Sequence, residues 1–110
     1  MPRYILLSTL TTEGRKTLKE KPYRIREVDE EIEKMGIKIL KQYATLGPFD
    51  FVNIVEAPSN DAISKLSIEL TSRGTIQITT LPGDEGGAFR IGHAYEQSTP
   101  ALRGQRPKIN

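Results

Sequence analysis

Two short segments with large apolar residues at both odd and even positions constrain the fold of this chain more than any other feature. Residues 3–10 read Arg-Tyr-Ile-Leu-Leu-Ser-Thr-Leu, and residues 49–57 read Phe-Asp-Phe-Val-Asn-Ile-Val-Glu-Ala. Both segments are rich in residues that favour strands, and both are too short for a long helix. Because successive side chains of a strand point to opposite faces of the sheet, these two strands need cover on both faces.

A helical region with one break is predicted to follow the first strand. Thr11 or Thr12 offers a hydroxyl to the free amides of a helix start. Pro22 lacks an amide proton, so we expect a break near residues 20–22, with Pro22 in the first turn of a second helical segment. Gly36 is suited to end that segment in a left-handed conformation.

The remaining elements complete a strand–helix–strand–strand–helix–strand order. Residues 37–45 and 75–81 are predicted strands, and a second helix is predicted to begin at Ser59 or Asn60 and to end at Gly74. With right-handed crossovers, a βαββαβ chain forms a four-stranded antiparallel sheet with its first and third strands in the middle. Both helices then lie on one face. The predicted fold class is α+β.

The second face of this sheet lacks a cover among the predicted elements. A second copy of the same sheet is one cover, because a self-complementary two-fold contact is the commonest way for a soluble protein to hide such a surface. The alternative is that the chain's own C-terminal segment folds back over the sheet. The first alternative predicts a homo-oligomer, with a dimer formed sheet to sheet.

The composition changes near Pro82 and divides the chain into two parts. Residues 83–110 hold five of the nine glycines and two of the seven prolines, and their few large apolar residues follow no helical or strand period. Residues 1–82 are therefore interpreted as one domain, and residues 83–110 as an extended C-terminal arm. We expect this arm to contact neighbouring subunits in a larger assembly, because alone it buries too little surface to offset its ordering entropy.

Composition argues against several kinds of partner and site. The chain has 16 basic and 14 acidic residues, and the basic residues of its first helical region face acidic ones four positions away, so nucleic-acid binding is not expected. It has no cysteine and a single histidine, His93, which leaves no metal site and no cofactor to predict. No apolar run is long enough to span a membrane, and the N-terminal apolar stretch is too short for a secretion signal, so a cytoplasmic location is expected.

Four residues are candidates for contacting a small molecule, although each also has an ordinary structural explanation. Asp50 follows a predicted turn, where its carboxylate can accept hydrogen bonds from a ligand or from turn amides. Asn53 lies within an apolar strand, and a buried amide needs a partner of some kind. Tyr4 and Tyr43 can place hydroxyls in a cavity or pack their rings and find one partner at its rim. No catalytic motif is found, so enzymatic activity stays open.

The chain resembles the GYD-domain family over about residues 2–82. The segments that carry the resemblance are Pro-Arg-Tyr-Ile-Leu-Leu-Ser-Thr-Leu-Thr at the start, Glu13-Gly14-Arg15-Lys16, the block Tyr-Ala-Thr-Leu-Gly-Pro-Phe-Asp-Phe-Val-Asn-Ile-Val-Glu-Ala-Pro at 43–58, Ser72-Arg73-Gly74-Thr75 and Thr80-Leu81-Pro82. The resemblance implies a ferredoxin-like fold of the dimeric α/β-barrel type. Phe49 stands where the family usually has tyrosine beside the aspartate, so any chemistry of that phenol would be lost here.

Two hypotheses of function follow. The first is a self-associating domain without catalysis, which forms a dimer through its sheet and uses its arm to build a larger assembly. The second is a small-molecule-binding protein, or an oxygenase or isomerase that needs no cofactor, with a cavity between sheet and helices. Fold-level analogy does not choose between them, because barrels of this type carry many unrelated activities.

Overall fold

Four strands and three helices make up residues 1–83, the part of the chain that the computed structural model describes. The elements, in chain order, are β1 (Arg3–Leu10), α1 (Thr12–Glu20), α2 (Arg24–Lys34), β2 (Lys38–Ala44), β3 (Phe51–Glu56), α3 (Asn60–Thr71) and β4 (Ile76–Gly83). The sheet is antiparallel, with the order β2-β3-β1-β4. The predicted α+β, ferredoxin-like fold is confirmed, with the first and third strands in the middle. The arm falls outside the described residues, apart from Gly83, which ends β4.

The break in the first helical region lies where the proline predicted it. α1 ends at Glu20 and α2 begins at Arg24, so the region is two helices rather than one. Pro22 lies in the connecting turn and not in the first turn of α2, because Tyr23 occupies the position that precedes this helix. Gly36 follows α2 with a φ of 82°, the left-handed conformation expected there.

Side-chain caps fix where α1 and α3 begin. The Thr11 hydroxyl accepts a hydrogen bond from the Gly14 amide at 3.1 Å and donates one to the Gly74 carbonyl at 2.7 Å. The Thr11 amide also donates to the Thr75 carbonyl at 3.0 Å, so the start of α1 is tied to the start of β4. At α3, the Ser59 hydroxyl accepts from the amide three residues later.

The helices cover one face of the sheet, and the core lies between them and that face. Along β1, Leu6 is 2% exposed, whereas the neighbouring Ile5 and Leu7 are only half-buried. The core consists of nine buried apolar side chains: Tyr4, Leu6, Ile32, Ile37, Val55, Ala57, Ile63, Leu66 and Leu70. Every strand residue among them lies on the helix-covered face. The expectation that these helices cover only one face is confirmed for the described residues.

Both strands of the β2–β3 hairpin are shorter than the sequence indicated. The strand predicted from residue 49 begins at Phe51, because residues 45–50 form a closed loop. Within that loop, Thr45 donates through its amide to the Asp50 carbonyl at 2.8 Å and through its hydroxyl to the Phe49 carbonyl at 2.7 Å. β2 contains a register shift between Ile39 and Lys41, a bulge that reverses the faces of the residues that follow it.

Candidate functional site

The face of the sheet opposite the helices carries a cluster of large apolar side chains, which we call the open face. Its members are Ile5 and Leu7 on β1, Val52 and Ile54 on β3, Leu81 on β4 and Tyr43 on β2. Neighbouring strands place these side chains side by side, since Ile5 pairs with both Ile54 and Leu81, and Val52 pairs with both Leu7 and Tyr43. The result is one continuous apolar surface across all four strands.

Nothing within residues 1–83 covers the open face. Tyr43 is 53% exposed and Leu81 is 42% exposed, and the four aliphatic side chains of the two central strands are half-buried. In a sheet that is covered on both faces, the central strands bury their apolar side chains on both faces. A surface of this kind on a soluble protein commonly marks a site of contact with another protein.

Charged residues border the open face on the β2 side and at one end. The Arg3 Nε lies 3.3 Å from the Glu56 Oε1, and the two residues are paired across β1 and β3. Lys38 pairs with Glu56, and Lys41 lies next to Ile54 on the exposed edge strand. An apolar centre with a charged rim is the general anatomy of a protein–protein interface.

A cavity of about 170 Å³ lies on the other side of the sheet, between the helices and the two central strands. Most of its lining is apolar, and aliphatic residues come from the sheet and from each of the three helices. Its lining includes Leu6, Phe51, Asn53, Asp29, Gln42 and Arg73. Its position therefore separates it from the open face by the thickness of the sheet.

Among residues 1–83, Asn53 is one of two buried polar residues in the lining of this cavity, with Ser8 as the other. Asn53 is 9% exposed, and its Oδ1 is fully buried with no hydrogen-bond partner within the described chain. A buried acceptor without a partner costs roughly 1–3 kcal/mol, so such groups in folded proteins are normally met by a donor. The free Asn53 Oδ1 makes this cavity a candidate ligand site.

A second polar pair lies in the same lining, at the edge of β2. The Gln42 Nε2 donates a hydrogen bond to the Asp29 Oδ1 at 2.9 Å. Burial raises the pKa of Asp29 above its ordinary value, the bond from Gln42 opposes this shift, and the nearby Glu33 carboxylate adds to it. Gln42 pairs with Asn53 across β2 and β3, so the three polar side chains form one strip along the cavity.

Two arginines of the lining are already engaged by carboxylates. The Arg24 Nη1 lies 3.3 Å from the Glu27 Oε2 and 3.5 Å from the Glu31 Oε1. The Arg73 Nη2 lies 2.5 Å from the Glu31 Oε2 and 3.1 Å from the Glu69 Oε1. The hydrogen bond from Arg73 is the main reason why the pKa of Glu31 is lowered, and the same bond raises the pKa of Arg73. Glu31 thereby joins α2 to the residues that follow α3, and both guanidinium groups already have carboxylate partners.

The structure does not bring the four predicted site residues together. Only Asn53 lines the cavity. The buried Tyr4 faces the helices, and its hydroxyl donates to the Asn60 Oδ1 at the start of α3. Tyr43 lies on the open face, because the β2 bulge turns it away from the helices.

Asp50, the residue before β3, is hydrogen-bonded to the end of β1. Its Oδ2 accepts a hydrogen bond from the Leu10 amide at 2.7 Å, and the Arg15 guanidinium lies 3.9 Å away. Its own amide donates to the Ser8 carbonyl at 2.8 Å, which continues the pairing of β1 beyond the start of β3. The carboxylate therefore binds a backbone amide at the end of β1 rather than the turn amides considered from the sequence.

Several polar residues of the cavity were not predicted as site residues from the sequence, among them Ser8, Asp29 and Gln42. Ser8 had a detectable signal, because it interrupts an apolar strand face at the same spacing as Tyr4 and Leu6. Asp29 had no signal, since acidic residues surround it in α2. Gln42 had none either, because the bulge that points it into the cavity cannot be read from the β2 sequence.

The described part of the chain contains neither a candidate metal site nor a candidate membrane-spanning helix. No group of three or more acidic or histidine side chains within residues 1–83 could hold a metal ion. None of the three helices is long and apolar enough to cross a lipid bilayer.

Comparison with known proteins gave two matches. The family model of the GYD domain matches residues 4–86. A relative from Thermus thermophilus, named "Glutamine synthetase and cystathionine beta-lyase binding protein", is 46% identical over 82 residues. That alignment covers 74% of this chain and 86% of the relative.

Proposed function

Since the chain belongs to the GYD-domain family, as its sequence indicated, we propose that it is a protein-binding domain that acts as a homodimer. The dimer forms through the open face, with the sheets of two copies packed together. Other folded proteins then bind the assembled dimer. The observation that carries this proposal is the continuous apolar surface on the open face, which nothing within residues 1–83 covers.

The arrangement of the open face supports a second copy as its occupant. The four aliphatic side chains of β1 and β3 lie at the centre, with Leu81 on one side and Tyr43 on the other. A two-fold contact brings the same surface of each copy together, so an apolar centre always meets an apolar centre. The lysines of β2 lie at the rim, where their ammonium groups keep contact with water.

Enzymes are the class of further partner that we propose. The Thermus thermophilus relative is named for binding glutamine synthetase and cystathionine beta-lyase. An identity of 46% over most of both chains supports the same class of partner for this protein. The separation of Tyr4, Tyr43 and Asp50 from the cavity also favours binding over catalysis, since these groups do not converge on one space.

The arm is proposed to extend the assembly beyond the dimer. Its richness in glycine and proline, and its scarcity of large apolar residues, suit a segment that gains order from neighbouring subunits. A chain that ends at Gly83 is then expected to remain dimeric and to lose any larger assembly. An unchanged mass per particle in light scattering would remove this role for the arm.

The dimer is tested with a double substitution on the open face, Val52→Thr together with Ile54→Thr. Threonine keeps the branched shape that strands favour. Its hydroxyl replaces a methyl group of Val52 and the ethyl group of Ile54, so it weakens apolar contacts with little effect on the strand. We expect the wild-type chain to sediment as a dimer at micromolar concentration and the double variant to dissociate at the same concentration.

The matched control is Ile68→Thr, which changes an equally apolar residue that is 69% exposed on α3. This variant should sediment like the wild-type chain. A wild-type chain that remains a 12.3 kDa monomer at micromolar concentration would contradict the homodimer. A dimer that survives the double substitution unchanged would place the contact elsewhere on the surface.

The enzyme partner is tested separately by titrating the full chain onto immobilised glutamine synthetase from the same organism. Saturable binding of the wild-type chain is expected, and an unrelated enzyme of similar size and charge serves as the control. Binding to both enzymes or to neither would contradict the proposed class of partner, whatever the oligomeric state.

A further inference from the structure

The cavity between the helices and the sheet contains a polar group that the open face does not explain. Asn53 lines a space whose walls are mostly apolar, and its Oδ1 has no hydrogen-bond partner within residues 1–83. The same strand position on an ordinary core face would carry an aliphatic residue, as Val55 does two residues later. A buried acceptor lowers the stability of the fold unless something in the cavity meets it. This group points to a ligand.

The size of the cavity fits a single ring. Its volume is about 170 Å³. A dry cavity of about 150 Å³ lined by leucine, isoleucine and phenylalanine binds benzene, so this space holds one ring with a small substituent. Phe51 lies in the lining, where its ring can contact an aromatic ligand edge to face.

The charges around the cavity select against an acidic ligand. Asp29 lies in the lining, and the guanidinium groups of Arg24 and Arg73 are engaged by Glu27, Glu31 and Glu69. A ligand carboxylate or phosphate would therefore lie near the Asp29 carboxylate and near guanidinium groups that already have carboxylate partners. The free Asn53 Oδ1 instead requires a hydrogen-bond donor, such as a hydroxyl or an amine.

We propose that the cavity between the helices and the sheet binds a compact, uncharged aromatic molecule that donates one hydrogen bond to the Asn53 Oδ1. Phenols are the simplest members of this class. The site lies on the opposite side of the sheet from the open face, so ligand binding does not require the dimer.

The test compares phenol, benzene and benzoate as probes of the full chain, with affinities measured by ligand-observed nuclear magnetic resonance. The ratio of phenol to benzene affinity isolates the hydrogen bond, because both molecules fill the same apolar space. The variant Asn53→Leu replaces the amide by an apolar group of similar shape. It should lower this ratio about tenfold, which corresponds to a loss of about 1.4 kcal/mol in the free energy of binding. Benzoate should not bind measurably to either protein.

Two further variants serve as controls. Tyr43→Phe removes a hydroxyl from the open face and should leave the ratio of affinities unchanged. The double variant Val52→Thr with Ile54→Thr, which is designed to break the dimer, should also bind phenol like the wild-type chain. Loss of phenol binding in that variant would tie the site to the dimer and overturn its independence.

A measurement on the wild-type protein tests the same contact without the Asn53→Leu variant. In the labelled wild-type protein, phenol should shift the side-chain amide signal of Asn53 and the signals of Leu6 and Phe51, whereas benzoate should not. An unchanged affinity ratio in Asn53→Leu, shifts confined to other residues, or binding of benzoate as tight as that of phenol would each overturn the proposal. The same holds if phenol fails to bind and a water molecule occupies the Asn53 Oδ1.

Discussion

At the scale of single residues, Gly14 allows α1 to lie directly against the start of β4. A Cβ at this position would lie 2.0 Å from the Thr75 carbonyl oxygen and 3.2 Å from the Leu10 Cδ2. The nearest atom belongs to the backbone, so it cannot move aside as a flexible side chain would. The close approach also brings the cap residue Thr11 within reach of Gly74 and Thr75.

We therefore expect Gly14→Ala to destabilise the fold, although alanine is the better helix former. The overlap with the Thr75 carbonyl should outweigh the gain in helix propensity, with a net loss of about 1–3 kcal/mol in the free energy of unfolding, measured with urea. Lys16→Ala, at an exposed position of the same helix, should change that free energy by no more than about 0.5 kcal/mol. Equal effects of the two substitutions would show that the contact is not tight.

Asp29 gives a prediction about pH at the same scale. Because burial raises its pKa above the ordinary value of 3.8, the folded state disfavours the charged carboxylate. Asp29 thus lowers stability at neutral pH, and this loss disappears as the pH falls from the folded pKa to below 3.8, where the carboxyl is protonated in both states.

Asp29→Asn should consequently be more stable than the wild-type chain at pH 7, since asparagine can still accept the hydrogen bond from Gln42. The difference between the two melting temperatures should shrink as the pH is lowered towards 3. A less stable Asp29→Asn at pH 7 would mean that the carboxylate takes part in a favourable charge interaction. Asp61→Asn, at an exposed position of α3, is the control.

At the scale of elements, the ends of α3 depend on local chemistry. Ser59 caps its first turn, with the Ala62 amide 3.2 Å from the Ser59 hydroxyl, and Gly74 follows its last turn with a φ of 74°. The helix packs on β4 through a buried stripe that includes Ile63, Leu66 and Leu70. The cap sets where this stripe begins along the helix, and therefore which residues reach the sheet.

Ser59→Ala is expected to lower the free energy of unfolding by about 1 kcal/mol, because it leaves an amide of the first turn without its acceptor. Ser64→Ala changes the same residue type at an exposed position inside the helix, where alanine is favoured by a few tenths of a kcal/mol. The two substitutions should therefore have opposite signs in denaturant titrations. The same sign for both would show that the cap contributes nothing.

At the scale of the whole molecule, the sheet carries two different surfaces on its two faces. β1 and β3 contribute Leu6 and Asn53 to the helix-covered side and Leu7 and Val52 to the open face. The proposed dimer and the proposed ligand thus use alternate residues of the same two strands.

If the dimer forms as proposed, folding and association are linked. The melting temperature of the wild-type chain should then rise with protein concentration, since dimerisation stabilises the folded state by mass action. The variant with Val52→Thr and Ile54→Thr should melt at a temperature that depends little on concentration. Calorimetry over a hundredfold range of concentration distinguishes the two. A wild-type melting temperature that does not change would argue for a monomer.

The order of elements was predictable because each boundary depends on neighbouring residues. Thr11, Pro22, Gly36, Ser59 and Gly74 act through their own backbone preferences or through amides a few positions away. Large apolar residues at both odd and even positions likewise indicated which strands are central, without knowledge of their partners. Strand ends were less accurate at residues 45–50, because the loop there is closed by hydrogen bonds that strand propensity does not anticipate.

The sequence by itself determined that β1 and β3 are apolar on both faces, since successive side chains of any strand point to opposite faces of the sheet. Only the tertiary structure decided which polar groups share the cavity. The bulge between Ile39 and Lys41 moves Tyr43 to the open face and Gln42 to the side of Asn53. A shift of one residue exchanges the two faces of a strand, and the register depends on packing against residues distant in the chain. For that reason the four candidate site residues could be named in advance, but their separation could not.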